Sequence, residues 1–225
     1  MDKAPLIISL KTALVSTFFT FFLGIYAAKF VVNLKRGKGL LDAIFTLPMV
    51  LPPTVTGFFL LLIVGNKSLI GQFLKTFDRS IVFSWEGTVV ASTVVAFPLM
   101  YRTARGAFDQ MDHNIIYAAR TLGLTEHHIF YKVILPNCWP GIIAGTILAF
   151  ARSLGEFGAT IMIAGNIPNK TQTISIAVYT AVQAGNYDLA YKWVIVIVII
   201  SFVSIAAMNL WNTKQSRIVT NKGGI

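Results

Sequence analysis

Residues 109–136 read DQMDHNIIYAARTLGLTEHHIFYKVILP, a polar stretch set into an otherwise apolar chain. Asp109 or Asp112 can cap a helix whose first N–H groups lack intrahelical acceptors. Ile115, Ile116, Ala118, Ala119 and Leu122 follow at helical spacing. Gly123 tolerates the left-handed backbone that ends a helix. Thr125 can cap a second helix, with Glu126 favourable at its positive end. Leu135-Pro136 marks the return to an apolar run. The spacing predicts two short helices joined at a glycine, a compact knob.

Outward from the knob, charge-free stretches occupy 12–28, 43–66, 87–101, 133–151 and 193–213. A helix needs roughly 20 apolar residues to cross about 30 Å of hydrocarbon. The second, fourth and fifth meet this directly. The first and third do so if Lys11, Lys29 and Arg102 snorkel. The pattern predicts an all-α, polytopic membrane helix bundle of five spans, residues 1–225 forming one transmembrane domain. The apolar stretch 171–185 is too short to cross and reads as a short helix dipping into the outer half; as a full span it would make six.

Composition agrees. Of 225 residues, 55% are hydrophobic and 12% charged, about half the charged fraction usual for a soluble domain; mean hydropathy is +0.69. The net charge of +10 lies between apolar runs, without the aromatic and basic interleaving that binds single-stranded nucleic acid. It reads as topogenic charge flanking spans. The single Cys138 excludes an intrachain disulfide or a cysteine-built metal site. The N-terminus, with Asp2 and Lys3 and no small-residue cleavage pattern, reads as the start of a retained span. With the N-terminus outside, inner segments hold eleven Lys and Arg, among them Lys29, Arg105, Arg120 and Lys132, against seven outside. The knob and the C-terminus are then cytoplasmic. The tail after the fifth stretch is too short for a regulatory domain.

The knob resembles the loop of permeases of the ATP-binding cassette importers: Glu-Ala-Ala, three residues, Gly, nine residues, Ile, one residue, Leu-Pro. Ala118, Ala119, Gly123, Leu135 and Pro136 match, while Tyr117 replaces the Glu and Val133 the Ile. The resemblance implies the type I importer permease fold. It also implies a coupling loop docked on cytoplasmic ATPase subunits that bind ATP and Mg, this chain holding no cofactor and not being an enzyme. Tyr117 removes a carboxylate that could pair with the ATPase.

Residues 153–173, SLGEFGATIMIAGNIPNKTQT, resemble molybdate permeases and, through GEFG and GNIP, sulfate permeases. Ala159-Thr160 and Thr171-Gln172-Thr173 lean toward molybdate, with tungstate not separable and sulfate the alternative; LPMVLPPTVTGFFLL at 47–61 is similar to the same families. Further partners implied are an extracytoplasmic molybdate-binding protein, a second copy of the chain and membrane lipid.

Arg152 and Glu156, four apart, share a helix face within the fourth span, just past its charge-free stretch, where charge is costly and marks function. A gate or interface role suits Glu156, since a carboxylate repels an oxyanion. Pro48, Pro52 and Pro53 interrupt the second stretch and Pro98 the third, each removing a backbone hydrogen bond and kinking its helix. Thr54, Thr56, Ser92 and Thr93 can satisfy the freed carbonyls, the commoner use, or line a weakly polar path. AGNIPNKT at 164–171 lacks both glycines of a P-loop, with Ala164 and Asn169 in their places. His113, His127 and His128 read as solvated loop residues. Internal repeats, which a self-powered secondary transporter would favour, are not apparent, nor is a nucleophile with a base. The expected sidedness is testable: membrane-impermeant labels should reach 109–136 only from the cytoplasmic face, and labelling from outside would overturn the topology.

Overall fold

The computed structural model describes residues 2–222, with side chains as far as Ala206. Eleven helices follow one another among the described residues, taking Glu126–Asn137 as one. Helix α1 (Ala4–Asn33) opens with Pro5, whose missing N–H costs nothing in a first turn. It extends the predicted 12–28 at both ends. The flanking lysines lie over aromatic rings, Lys11 Nζ 4.2 Å from the Trp85 ring and Lys29 Nζ 3.7 Å from the Phe130 ring. One face of α1 buries Ser9, Thr12, Ser16, Thr20 and Gly24 at helical spacing, while Phe18, Phe22 and Phe30 face outward.

That small-residue face packs along α5 (Trp85–Asp109). Thr12 Oγ1 lies 2.9 Å from Thr88 Oγ1 and accepts a hydrogen bond from Trp85 Nε1 at 3.0 Å. Further along, a Cβ on Gly24 would sit 2.6 Å from Met100 Cγ. Close approach of this kind is how helices associate where lipid is as apolar as the side chains. Pro98 lies inside α5 without ending it, so the expected interruption of the third span does not occur.

The second span is interrupted, and sharply. Helices α2 (Lys38–Val50) and α3 (Pro53–Val64) meet at 113°. Pro48 is absorbed within α2. The break falls at Leu51 and Pro52, which have extended ψ of 142° and 137°. A residue before proline is pushed out of the helical region, and Leu51-Pro52-Pro53 makes two such residues in succession. After the short α4 (Leu69–Lys75) and α5 comes the knob: α6 (His113–Thr121) and α7 (Glu126–Asn137). Leu135-Pro136 does not mark the turn into the membrane as expected. Helix α7 takes a π turn over Phe130–Ile134 and continues past Pro136; the 71° bend comes at Cys138, before α8 (Trp139–Leu154). A wider turn before proline relieves the missing N–H.

Helix α8 is continued, after a break at 155–157, by α9 (Gly158–Ala164). Thr173 caps α10 (Ile174–Gln183), the short helix expected within 171–185, and α11 (Tyr187–Lys222) closes the chain. The Ile174 N–H donates to Ser9 Oγ at 2.8 Å, so α10 begins beside the first turns of α1. Length and apolarity qualify α1 and 187–206 as spans, making up to four if each bent pair counts as one; α5 packs along α1. The basic tail residues counted for orientation, Lys214, Arg217 and Lys222, lie outside the described side chains.

The core lies between α1, α5 and α8, around Ile25, Val31, Met100, Tyr101 and Ile142. A second cluster joins Leu60 and Val64 of α3 to Val95 and Ile163. There Gly57 meets α9 so closely that a Cβ would lie 2.8 Å from Ala159 Cα. Backbone cannot yield as a side-chain tip can. Gly57→Val is expected to lower stability by about 1–3 kcal/mol, read as a lower melting midpoint in detergent; an unchanged midpoint would contradict this packing.

Candidate functional site

Two constellations stand out, one at each end of a mechanical path. The knob is the first. Asp112, not Asp109, caps α6, its Oδ1 accepting from the Asn114 N–H at 2.9 Å. Gly123 has φ +76°. Its N–H donates to Arg120 O and that of Leu124 to Ala119 O, the paired bonds that close a helix through a left-handed residue. Thr125 caps α7. Arg120 then spans the turn to Glu126 at 2.7 and 3.2 Å, a two-pronged ion pair tying α6 to α7. The guanidinium holds the Glu126 carboxyl below its usual range, chiefly through that side-chain hydrogen bond.

The matched residues divide by exposure. Ala119 is buried, and Val133 and Leu135 pack partly against the core. Tyr117, Ala118, Gly123 and Pro136 face outward, together with Leu122, 79% exposed. An apolar tip this exposed on a capped, ion-paired knob is a surface shaped for contact. Behind it, α7 is gripped by α1: Lys29 over Phe130, and the Tyr26 hydroxyl 3.1 Å from that of Tyr131.

The second constellation is the break in the α8–α9 passage. Gly141 of α8 lies against Ala107, and Gly145 against Thr103 and Met100, while Ala164 beyond the break lies against Gly87. Residues 155–157 therefore sit beside the middle of α5, which is 25 residues and about 37 Å long. Glu156 is 2% exposed. Its Oε1 accepts a hydrogen bond from the Ala159 N–H at 2.8 Å, satisfying a free donor of the new helix. Its Oε2 lies 2.7 Å from Arg152 Nη1. That contact is ionic only, because the geometry is not that of a hydrogen bond. Arg152 and Glu156 are thus in contact, but across the end of α8 at Leu154 rather than on one continuous helix face as expected.

The two breaks touch. A Cβ on Gly158 would lie 2.9 Å from Pro53 Cβ and 3.1 Å from Thr54 N. Thr54 is exposed at the start of α3 and Thr56 is buried two residues on. The expected repair of carbonyls by hydroxyls is not found: Thr56 Oγ1, Ser92 Oγ and Thr93 Oγ1 have no hydrogen-bond partner. The same holds for Ser153 Oγ and Thr160 Oγ1 on either side of the break, which sequence reasoning missed. A buried unmet polar group costs about 1–3 kcal/mol, so a bundle keeping several near its middle holds polar capacity in reserve.

Also missed was a polar lock between α2 and α5. Asp42 receives both the Tyr101 hydroxyl and the Arg105 guanidinium, and Arg105 reaches on to Asp109 at 3.3 Å. Only the Arg105–Asp109 spacing was visible locally; Asp42 lies 59 positions from Tyr101.

Removing the Glu156 carboxylate should cost both of its contacts. Glu156→Ala is expected to lose on the order of 2–4 kcal/mol, between a lost cap and a broken buried pair. Glu156→Gln, which retains an acceptor for the Ala159 N–H, should lose less. Melting in detergent orders the two, and an alanine variant as stable as the parent would remove Glu156 from this role.

Comparison with known proteins agrees with this architecture. Residues 20–219 match the family described as binding-protein-dependent transport system inner membrane component. The chain is 43% identical over 201 residues to the putative molybdenum transport system permease protein YvgM of Bacillus subtilis (strain 168), 88% of each chain being covered. It is 42% identical over 214 residues to the molybdenum transport system permease protein ModB of Escherichia coli (strain K12), covering 94% of this chain and 93% of that one. Its fold is similar, at TM-score 0.73 and 18% identity, to a chain of the MetNI methionine ABC transporter in inward facing conformations, over 93% of this chain and 94% of that chain. The chain belongs to the family of binding-protein-dependent transport system inner membrane components and has the all-helical fold of the type I ABC importer permeases.

Proposed function

We propose that this chain is the membrane-spanning permease subunit of an ATP-driven importer that carries molybdate, with tungstate a second tetrahedral dianion of the same demands. It works as a homodimer in the cell inner membrane. Two ATPase subunits on the cytoplasmic side bind ATP and Mg, and an extracytoplasmic binding protein delivers the anion. The N-terminus lies outside and the C-terminus inside, the arrangement that the loop charges favour. The chain itself performs no covalent chemistry.

The observation that carries this reading is the knob. Its tip presents Tyr117, Ala118, Leu122 and Gly123 outward on a short capped helix braced by Arg120 and Glu126. A stiff element of this kind moves as a body, whereas a floppy loop would absorb the motion. Behind it, the contacts of Lys29 and Tyr26 pass displacement to α1, and packing of α1 on α5 passes it to the mid-bundle breaks. Pairing has its own support. None of the thirteen residues of α2 is buried in the single chain, although Asp42 lies on it. Arg152 keeps a third of its side chain exposed at mid-bundle depth, where lipid would be a costly neighbour.

The test is reconstitution. Radiolabelled molybdate should enter proteoliposomes only when the chain is co-assembled with its ATPase, with ATP inside and the binding protein outside. Uptake by this chain alone would overturn the ATP-driven reading, and equal competition by sulfate would move the substrate assignment to sulfate. Gly123→Val, which forces a β-branched residue into φ +76° at a cost of about 1–2 kcal/mol, should insert normally yet lose co-purification with the ATPase. Normal co-purification of that variant would count against docking at the knob.

A further inference from the structure

The mid-bundle break leaves one question of charge. Arg152 and Glu156 could merely cancel one another, as an inert pair buried for packing. The exposure of the two side chains argues otherwise: Glu156 is 1% exposed and Arg152 32%. The carboxylate is committed on both oxygens, one to Ala159 N–H and one to the arginine. The guanidinium is not. Among the described residues, Arg152 makes no hydrogen bond at all, and its contact with Glu156 is a charge contact through Nη1 alone. A guanidinium has five N–H donors in a fork that fits tetrahedral oxyanions.

Depth sharpens the point. The break lies beside the middle of α5, well away from either end of that helix. A cation held there with a third of its surface uncovered faces a polar or protein-lined space rather than acyl chains. Gly155 is also exposed; a Cβ on it would meet only Ala151 O, at 3.9 Å. The open side of the break is therefore the side on which Arg152 is uncovered.

We propose that Arg152 is the mid-membrane contact of the transported oxyanion, and that Glu156 is a positioning residue that holds the guanidinium and weakens its grip. This rests on the transport reading above and names the residue that touches the cargo. An unopposed guanidinium in a low-dielectric space would bind a dianion tightly, and a path that binds tightly does not conduct. A fixed carboxylate on the far side of the arginine lowers that attraction while leaving the forked donors toward the path. Glu156, turned inward and bound to Ala159, never has to meet the anion.

The experiment compares Arg152→Gln, Arg152→Lys and Glu156→Gln in the full complex with ATPase and binding protein, all accepted only if they co-purify with the ATPase. Two readouts are taken: radiolabelled molybdate uptake, and equilibrium binding of radiolabelled molybdate to the detergent-solubilised complex without the binding protein. Arg152→Gln should reduce uptake by roughly tenfold or more, the worth of one charge-assisted hydrogen bond, and Arg152→Lys should recover part of it. Glu156→Gln should bind molybdate roughly tenfold more tightly while its maximal uptake falls, a split that follows from losing one opposing charge. Parental uptake by Arg152→Gln overturns the proposal. So does Glu156→Gln losing binding and uptake together, since an inert structural pair behaves that way. If the parent complex itself carries no molybdate, the transport reading fails instead, and the two failures are told apart by that control.

Discussion

The bundle depends on what replaces water where its helices stop. In hydrocarbon every backbone N–H and C=O must find a partner within the protein, so a helix can break inside a membrane only where something else accepts its free ends. Glu156 is that acceptor for α9, and its charge is in turn balanced by an arginine one helical turn earlier. Against the same point lies the other break, with Gly158 and Gly57 bringing the backbones of α9 and α3 to within a methyl group of contact. Beyond the breaks at 51–52 and 155–157, α3 and α9 are therefore two half-helices packed on one another. Were Glu156 absent, the hinge would expose amide groups to an apolar medium, and straightening the helix would pull α9 off α3.

This arrangement divides the molecule into stiff and yielding parts. The stiff part is at the knob end: α1 against α5 at Gly24 and Met100, Asp42 locking α2 to α5, and Lys29 and Tyr26 holding α7. Under the proposed coupling, displacement of the knob would move that assembly as a body, because packed interiors shift between discrete arrangements rather than deform continuously. The yielding part lies beyond, where the backbone is already interrupted and several hydroxyls have no partner to lose. A change that costs few hydrogen bonds at the breaks is cheap there and expensive everywhere else.

How much of this could be read from residues alone follows from how local each signal is. The knob was legible nearly whole, since caps, a left-handed glycine and an i,i+3 apolar pattern act within a dozen residues; Asp112, Gly123 and Thr125 each sit where that chemistry required. The pairing of Arg152 with Glu156 was legible for the same reason. Proline was read less well. Pro48 and Pro98 are carried inside continuous helices, and only Pro52-Pro53 breaks one, because a single missing hydrogen bond is tolerated by neighbours whereas two successive extended residues are not. The roles of Thr56, Ser92 and Thr93 could not be read, since whether a hydroxyl finds a carbonyl depends on rotamers set by the facing helix. Asp42 gave no sign at all: its partners are on another helix, and a carboxylate in an apolar stretch is intelligible only once Tyr101 and Arg105 are beside it.

Burial supplies the last step. In a single chain the α2–α3 arm presents Leu40, Ile44, Leu47, Val50, Phe58, Phe59 and Leu62 outward, and no residue of α2 is fully buried. Lipid can accept that apolar surface, but it cannot accept an arginine exposed at the bundle's midpoint. Under the proposed pairing, both facts have one cause: a second copy covers the arm, and the space between the copies is where Arg152 is uncovered. The charge is then neither buried nor in lipid, and a guanidinium countered from behind by a fixed carboxylate is attractive enough to draw a dianion inward without retaining it. The break that Glu156 makes possible would thus serve two ends at once, a hinge for the outer half-helices and a mount for the one charge that the path needs.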